Sequence, residues 1–240
     1  MDTSDNLIEK NRKKVLYNKN GIFEKSFSIT GFILILAFFI TLITSFFITI
    51  PKLRIILFLE MGITIIASMM YFLFNTILVK PELVASFIPY FNSSHINILR
   101  YLGWSITTAL MLVALCLILA FNLKIEAKTG ILWKVVGLDW LMLVFGVLGE
   151  TGNISMNYAM FFGFIPFFLM FYLIYKEFID GRRNNTNCFI FSVYFILWIM
   201  YGIIYQIDVK WKTIITNILD CIAKAFFAIG LSANYLYYYN

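Results

Sequence analysis

Asn217-Ile-Leu-Asp220-Cys-Ile-Ala-Lys224-Ala-Phe-Phe227 lies in the last apolar stretch of a 240-residue chain and sets a carboxylate and an amine four residues apart. At that spacing the two side chains share one helix face. Ionisable groups inside a membrane span are expensive and by default mark a function. Two uses fit a single lysine in such a place. It can form a buried ion pair that holds helices together, or it can serve as a desolvated amine that condenses with an aldehyde as a Schiff base. Spacing alone leaves both open.

The membrane setting follows from composition. The chain is 61% hydrophobic and 13% charged, with a mean hydropathy of +0.85. A soluble domain of this size cannot hide so much apolar surface, which predicts an all-α polytopic membrane protein. Seven apolar stretches fall at about 27–50, 54–78, 96–122, 131–150, 157–179, 187–206 and 213–237, each near the ~20 residues a span requires. Polar punctuation separates them at Pro51-Lys-Leu-Arg54, Lys80 to His95, Lys124 to Lys128, Gly149 to Asn157, Asp180 to Asn185 and Asp208 to Lys212. The reading is therefore a polar tail over 1–26 and a seven-transmembrane-helix bundle over 27–240. No internal repeat is visible, which disfavours a transporter built from inverted repeats.

Other classes are set aside on residue usage. Cys116, Cys188 and Cys221 fall in or beside apolar runs without a CxxC spacing, so neither a disulfide framework nor a zinc site is suggested. The single histidine, His95, lies in a polar loop and builds no metal cluster alone. The net charge of +6 comes partly from Lys10, Arg12, Lys13, Lys14, Lys19 and Lys25. On a membrane protein that reads as contact with anionic lipid headgroups and not nucleic acid. The chain is not read as an enzyme.

Span three contains Arg100-Tyr101-Leu-Gly103-Trp104-Ser-Ile-Thr107-Thr108-Ala-Leu-Met111-Leu-Val-Ala114. Steps of three or four place Arg100, Gly103, Thr107, Met111 and Ala114 on one face, which is not apolar and so points into the bundle. Arg100 either snorkels to the near membrane edge or pairs with Asp220.

Arg-Tyr-x-x-Trp-x-x-Thr in span three, together with Leu-Asp-x-x-x-Lys in span seven, resembles the microbial (type 1) rhodopsins. Span four, Leu141 to Gly152, is similar to its counterpart in proteorhodopsins. Span six carries Trp198-Ile-Met-Tyr201-Gly202-Ile-Ile-Tyr205, similar to the family's Trp-x-x-Tyr-Pro with Gly202 in place of proline. Tyr71 in span two matches a tyrosine that stands near the span-seven aspartate. The resemblance covers nearly the whole chain beyond about residue 27. It implies all-trans retinal held covalently on Lys224 as a protonated Schiff base, with Asp220 as counterion. It implies a pocket that includes Trp104, Thr107, Thr108, Met111, Met142, Gly146, Trp198, Tyr201 and Tyr205, with Tyr71, Tyr101 and Gly103 nearby. Ordinary aromatic packing is the plain alternative for several of these. Gly146 either leaves room for the ring end of the chromophore or permits close helix packing.

Two departures bear on function. Gly103 stands where outward pumps of the family carry the aspartate that accepts the Schiff-base proton, and Ala114 stands where they carry the carboxylate that returns it. The Schiff base and Arg100 then supply two positive charges against one negative from Asp220. Glu60 lies eleven residues before Tyr71, about 16 Å and three turns along the same face, and is a candidate proton donor on the cytoplasmic side. Asp139 reads as a structural acid. Glu150, in the turn at the other end, is a candidate for proton exit or subunit contact. Glu82, His95 and Asp208 read as loop residues.

The expected function is a light-driven proton pump with Asp220 as counterion and acceptor and no span-three carboxylate. The mirror proteorhodopsins, which also depart from the usual span-three pattern, are one placement. The alternatives are a light-gated anion channel or chloride-dependent transporter, since surplus positive charge favours anions, and a non-transporting photosensor. The resemblance also implies a homo-oligomer in the plasma (inner) membrane. Loop charges favour an extracellular N-terminus, with Lys52, Arg54, Lys124, Lys128, Lys176, Arg182 and Arg183 on the inner side, although the basic tail argues the reverse.

Overall fold

The computed structural model of the chain describes residues 21–87 and 96–239. The expectations for the residues before Gly21 and for His95 lie outside this range. The helices are α1 (Gly21–Phe47), α2 (Pro51–Val79), the short α3 (Pro81–Phe87), α4 (Ile96–Asn122), α5 (Thr129–Glu150), α6 (Met156–Phe178), α7 (Asn185–Ile204), α8 (Val209–Asp220) and α9 (Phe227–Tyr239). Cys221–Phe226 forms a π-helical turn that joins α8 to α9. Among the described residues seven helices are long and apolar enough to cross a membrane, the seventh being the continuous run Val209–Tyr239. Among the described residues there is no strand.

Neighbours in sequence pack side by side from α1 to α2, α2 to α4, α4 to α5 and α5 to α6. The seventh span closes the ring against α1. The distribution of polarity is that of a bundle in lipid. Phe46, Phe189 and Trp133 are among the most exposed large apolar side chains, whereas Glu60, Arg100, Asp139, Asp220 and Lys224 are all buried. With no water in the hydrocarbon, each helix satisfies its own backbone. Hydroxyls inside the spans do the same, with Thr41 donating to the Ala37 carbonyl at 2.9 Å and Thr107 to that of Gly103 at 3.0 Å.

Several boundaries differ from the sequence expectation for local reasons. Pro51, read as punctuation, opens α2 within its first turn. That position has no helical N–H bond to lose, and proline's fixed φ suits it. Asp208, read as a plain loop residue, caps α8 by accepting from the Lys210 N–H at 3.0 Å, so Lys210 and Lys212 are helical. Glu82 lies in α3. The expected division at residue 26 lies within α1, whose start was read as part of the polar stretch; Phe27 is fully buried and Ser26 accepts a hydrogen bond from Asn217 at 2.8 Å. Asn184 caps α7 through the Asn187 N–H.

Candidate functional site

Asp220 and Lys224 meet in the middle of the bundle. Lys224 Nζ donates to Asp220 Oδ1 at 2.5 Å, and Lys224 and Asp220 are 2% and 1% exposed. The π turn carries Lys224. Such a turn is widened by one residue and recurs at functional positions. Asp220 accepts two further bonds, from Tyr71 at 2.6 Å on Oδ2 and from Tyr201 at 2.7 Å on Oδ1. Three spans thus fix one carboxylate, and buried ionic groups need that degree of satisfaction.

Arg100 lies on the far side of Tyr71. It donates to the Tyr71 hydroxyl at 3.0 Å and to Asn217 Oδ1 at 3.0 Å. Its direct approach to Asp220 Oδ2 is 3.8 Å, so Tyr71 bridges the two charges. Phe27, Tyr71, Phe74 and Trp104 surround the guanidinium with their rings at 5.3–5.9 Å. Arg100 is therefore interior and does not snorkel. The face predicted for span three is buried throughout, from Arg100 through Gly103, Thr107 and Met111 to Ala114.

A cavity of about 120 Å³ runs from the Lys224–Asp220 pair between α4, α5, α6 and α7. Of the expected pocket residues, Tyr101, Trp104, Thr108, Met111, Met142, Gly146, Trp198, Tyr201 and Tyr205 line it. Trp104 meets Tyr201 edge to face at 5.6 Å. Thr107, Gly103 and Tyr71 are not among the lining residues. Thr107 turns back on its own helix through the Gly103 carbonyl. Gly103 faces α2, where a Cβ would stand 3.0 Å from Met70 Cγ. Tyr71 reaches the site only through Asp220 and Arg100.

Gly146 is closely packed as well as cavity-lining, and a Cβ there would lie 2.5 Å from Tyr101 Cε1. Its carbonyl also accepts from Tyr205 at 2.9 Å. Gly202 lines the same cavity with Phe164 pressed against it, so that a Cβ at 202 would stand 2.5 Å from Phe164 Cζ. Thr108 donates to Asp139 Oδ2 at 2.7 Å and ties α4 to α5.

A smaller cavity, about 40 Å³, lies beyond Arg100 at the end of the bundle where α4 begins. Glu150 and Lys212 pair across it at 2.7 Å, and Asn97 donates to the other Glu150 oxygen at 3.1 Å. Glu150 is thus a partly buried ion-pair partner at the end of α5. Glu60 lies toward the opposite end, 1% exposed, with no hydrogen-bond partner for Oε1 among the described residues.

The sequence reading missed Asn217 as the residue that joins Arg100, Tyr71 and Ser26, although it stands in the opening stretch three residues before Asp220. It also missed the wall supplied by α6, including Met160, Gly163, Phe164 and Phe167. That span is aromatic all round, so no periodicity marks its inner face.

The fold has close relatives among solved structures. A viral rhodopsin, OLPVRII, superposes with a TM-score of 0.81 at 29% identity, covering 91% of this chain and 100% of that one. The blue light-absorbing proteorhodopsin from Med12 gives 0.68 at 20% identity, covering 90% and 97%. The proton-pumping rhodopsin AR2 from the marine alga Acetabularia acetabulum gives 0.71 at 18% identity, covering 91% and 97%. No curated protein sequence matches the chain. The family model for bacteriorhodopsin-like proteins matches residues 24–235, nearly the whole described chain, and the protein therefore belongs to the bacteriorhodopsin-like family of seven-helix membrane proteins.

Proposed function

We propose that this protein is a light-driven proton transporter that carries all-trans retinal covalently on Lys224. The observation that carries the reading is the pairing of a buried amine with a buried carboxylate at the end of an apolar, aromatic-walled cavity. An elongated apolar aldehyde fits such a cavity, with one polar end at Lys224 and the remainder between Trp104, Trp198 and Tyr201. When bound, retinal supplies light absorption and an isomerisation that displaces the linked nitrogen.

The chain's own residues set the proton chemistry. Asp220 is the only carboxylate hydrogen-bonded to Lys224 among the described residues, so it balances the positive charge of the linkage and is the acceptor nearest to its proton. Tyr71 and Tyr201 hold it in place, and Arg100 senses its charge through Tyr71. Gly103 offers no second carboxylate. Glu60, toward the other end, is the proposed donor that resupplies the proton, with Glu150 at the exit. We place the N-terminus outside a plasma (inner) membrane, and the bundle in a homo-oligomer, on loop charge and family likeness.

A second reading has its own observation. Arg100 and Lys212 both line the small outer cavity, against the single carboxylate of Glu150, and such a surplus favours anions. A light-driven or light-gated anion pathway follows from it.

One experiment separates them: light-induced pH change in retinal-supplied cells, with and without a protonophore, in chloride and in sulfate. A proton signal abolished by the protonophore and indifferent to chloride supports the first reading, and its sign gives the direction. Alkalinisation enhanced by the protonophore and dependent on chloride supports the second. No signal in any medium overturns both as active transport.

A further inference from the structure

Three buried polar atoms on the Glu60 side of the bundle have no hydrogen-bond partner among the described residues: Glu60 Oε1, the Tyr194 hydroxyl and the Tyr235 hydroxyl. They come from three different spans, α2, α7 and α9. On α2, Glu60 stands between Leu57, which packs in one cluster with Tyr235, and Ile63, which packs in one cluster with Tyr194, and Phe227 packs against both clusters. The groups therefore face a common place. A fourth orphan, Asp139 Oδ1, belongs elsewhere, beside Thr108.

The surroundings are apolar. Tyr194 packs in one cluster with Met111, Cys116 and Trp198, and Tyr235 packs in another with Leu57 and Ile118. The ring of Phe227 stands edge-on to Tyr194 at 4.9 Å. Lipid supplies no hydrogen bonds at this depth, and buried polar groups are almost always satisfied. An internal water typically makes about three hydrogen bonds to such groups, which is the number of atoms waiting here.

We propose that Glu60, Tyr194 and Tyr235 form a site for internal water on the Glu60 side of the bundle. The site rests on the proposed proton-transport reading only for its purpose, which is to connect Glu60 toward the Lys224 cavity by way of Tyr194. Tyr194 lies one turn from Trp198, a wall of that cavity. Tyr194 and Tyr235 are positioning residues: they orient the water and leave the proton chemistry to the carboxyl.

The test is infrared difference spectroscopy on the full-length pigment in ordinary water and in water enriched in oxygen-18. The variants are Glu60→Gln, Tyr194→Phe and Tyr235→Phe. The phenylalanine variants keep both rings, so packing against Phe227 survives. The expected result is an oxygen-18-sensitive water O–H band that is lost or shifted in all three variants. A carboxyl C=O band, assigned by its loss in Glu60→Gln, also shifts in both phenylalanine variants. If no oxygen-18-sensitive band responds to any of the three, the water site is overturned. If those bands respond but Glu60→Gln leaves the transport rate unchanged, the site stands and the donor role of Glu60 fails. If Glu60→Gln slows transport while the water bands stay unmoved, the donor role stands and the water site fails.

Discussion

Replacing Gly146 by alanine tests whether the cavity is the retinal site. An ideal Cβ at 146 would stand 2.5 Å from Tyr101 Cε1 and 2.8 Å from its hydroxyl oxygen. Ordinary carbon contacts begin near ~3.5 Å, so something must move by about 1 Å. The moving group is the tip of Tyr101, which lines the cavity and leans edge-on against Trp104 at 5.2 Å. Overpacking of this kind costs about 1–3 kcal/mol. Charged to retinal binding, that is a loss of roughly 5- to 150-fold in affinity. The assay is absorbance titration of the retinal-free protein with all-trans retinal, following the visible band. Gly137→Ala is the control, because nothing stands within 4 Å of a Cβ there. Wild-type affinity and an unmoved band in Gly146→Ala would refute the assignment of the cavity. Equal impairment in Gly137→Ala would show that the loss reflects helix handling and not the cavity.

Other perturbations probe separate parts. Lys224→Ala is expected to abolish the visible band outright, and a band that survives would sink the covalent attachment at Lys224. Gly103→Asp supplies a second carboxylate and is expected to shift absorption to the blue. Flexible Met70, 3.0 Å from the new Cβ, must yield a few tenths of an ångström, and an unchanged spectrum means position 103 does not reach the chromophore. Lys212→Met breaks a charged hydrogen bond of 2.7 Å at which both side chains are little exposed. It is expected to cost about 1.5–3 kcal/mol, measured as a lower melting temperature in detergent, and an unchanged melting temperature would show that the pair contributes nothing there.

Membrane class, seven spans and the central ion pair were legible in the sequence for a simple reason. Lipid imposes length and hydropathy on each span one residue at a time, so the rule needs no knowledge of neighbours. The buried face of α4 was legible too, since helical periodicity alone places Arg100, Gly103, Thr107, Met111 and Ala114 in one line. Tertiary structure decided what those residues touch. Arg100 is hydrogen-bonded to Asp220 only by way of Tyr71, and the two charges themselves stand 3.8 Å apart. The π turn at Cys221–Phe226 carries Lys224, and the pattern of apolar residues is blind to it. The wall contributed by α6 and the convergence of Glu60, Tyr194 and Tyr235 are products of assembly. Sequence distance says nothing about which faces of separate spans meet; that is set by side-chain packing between helices, where the ring closes against α1.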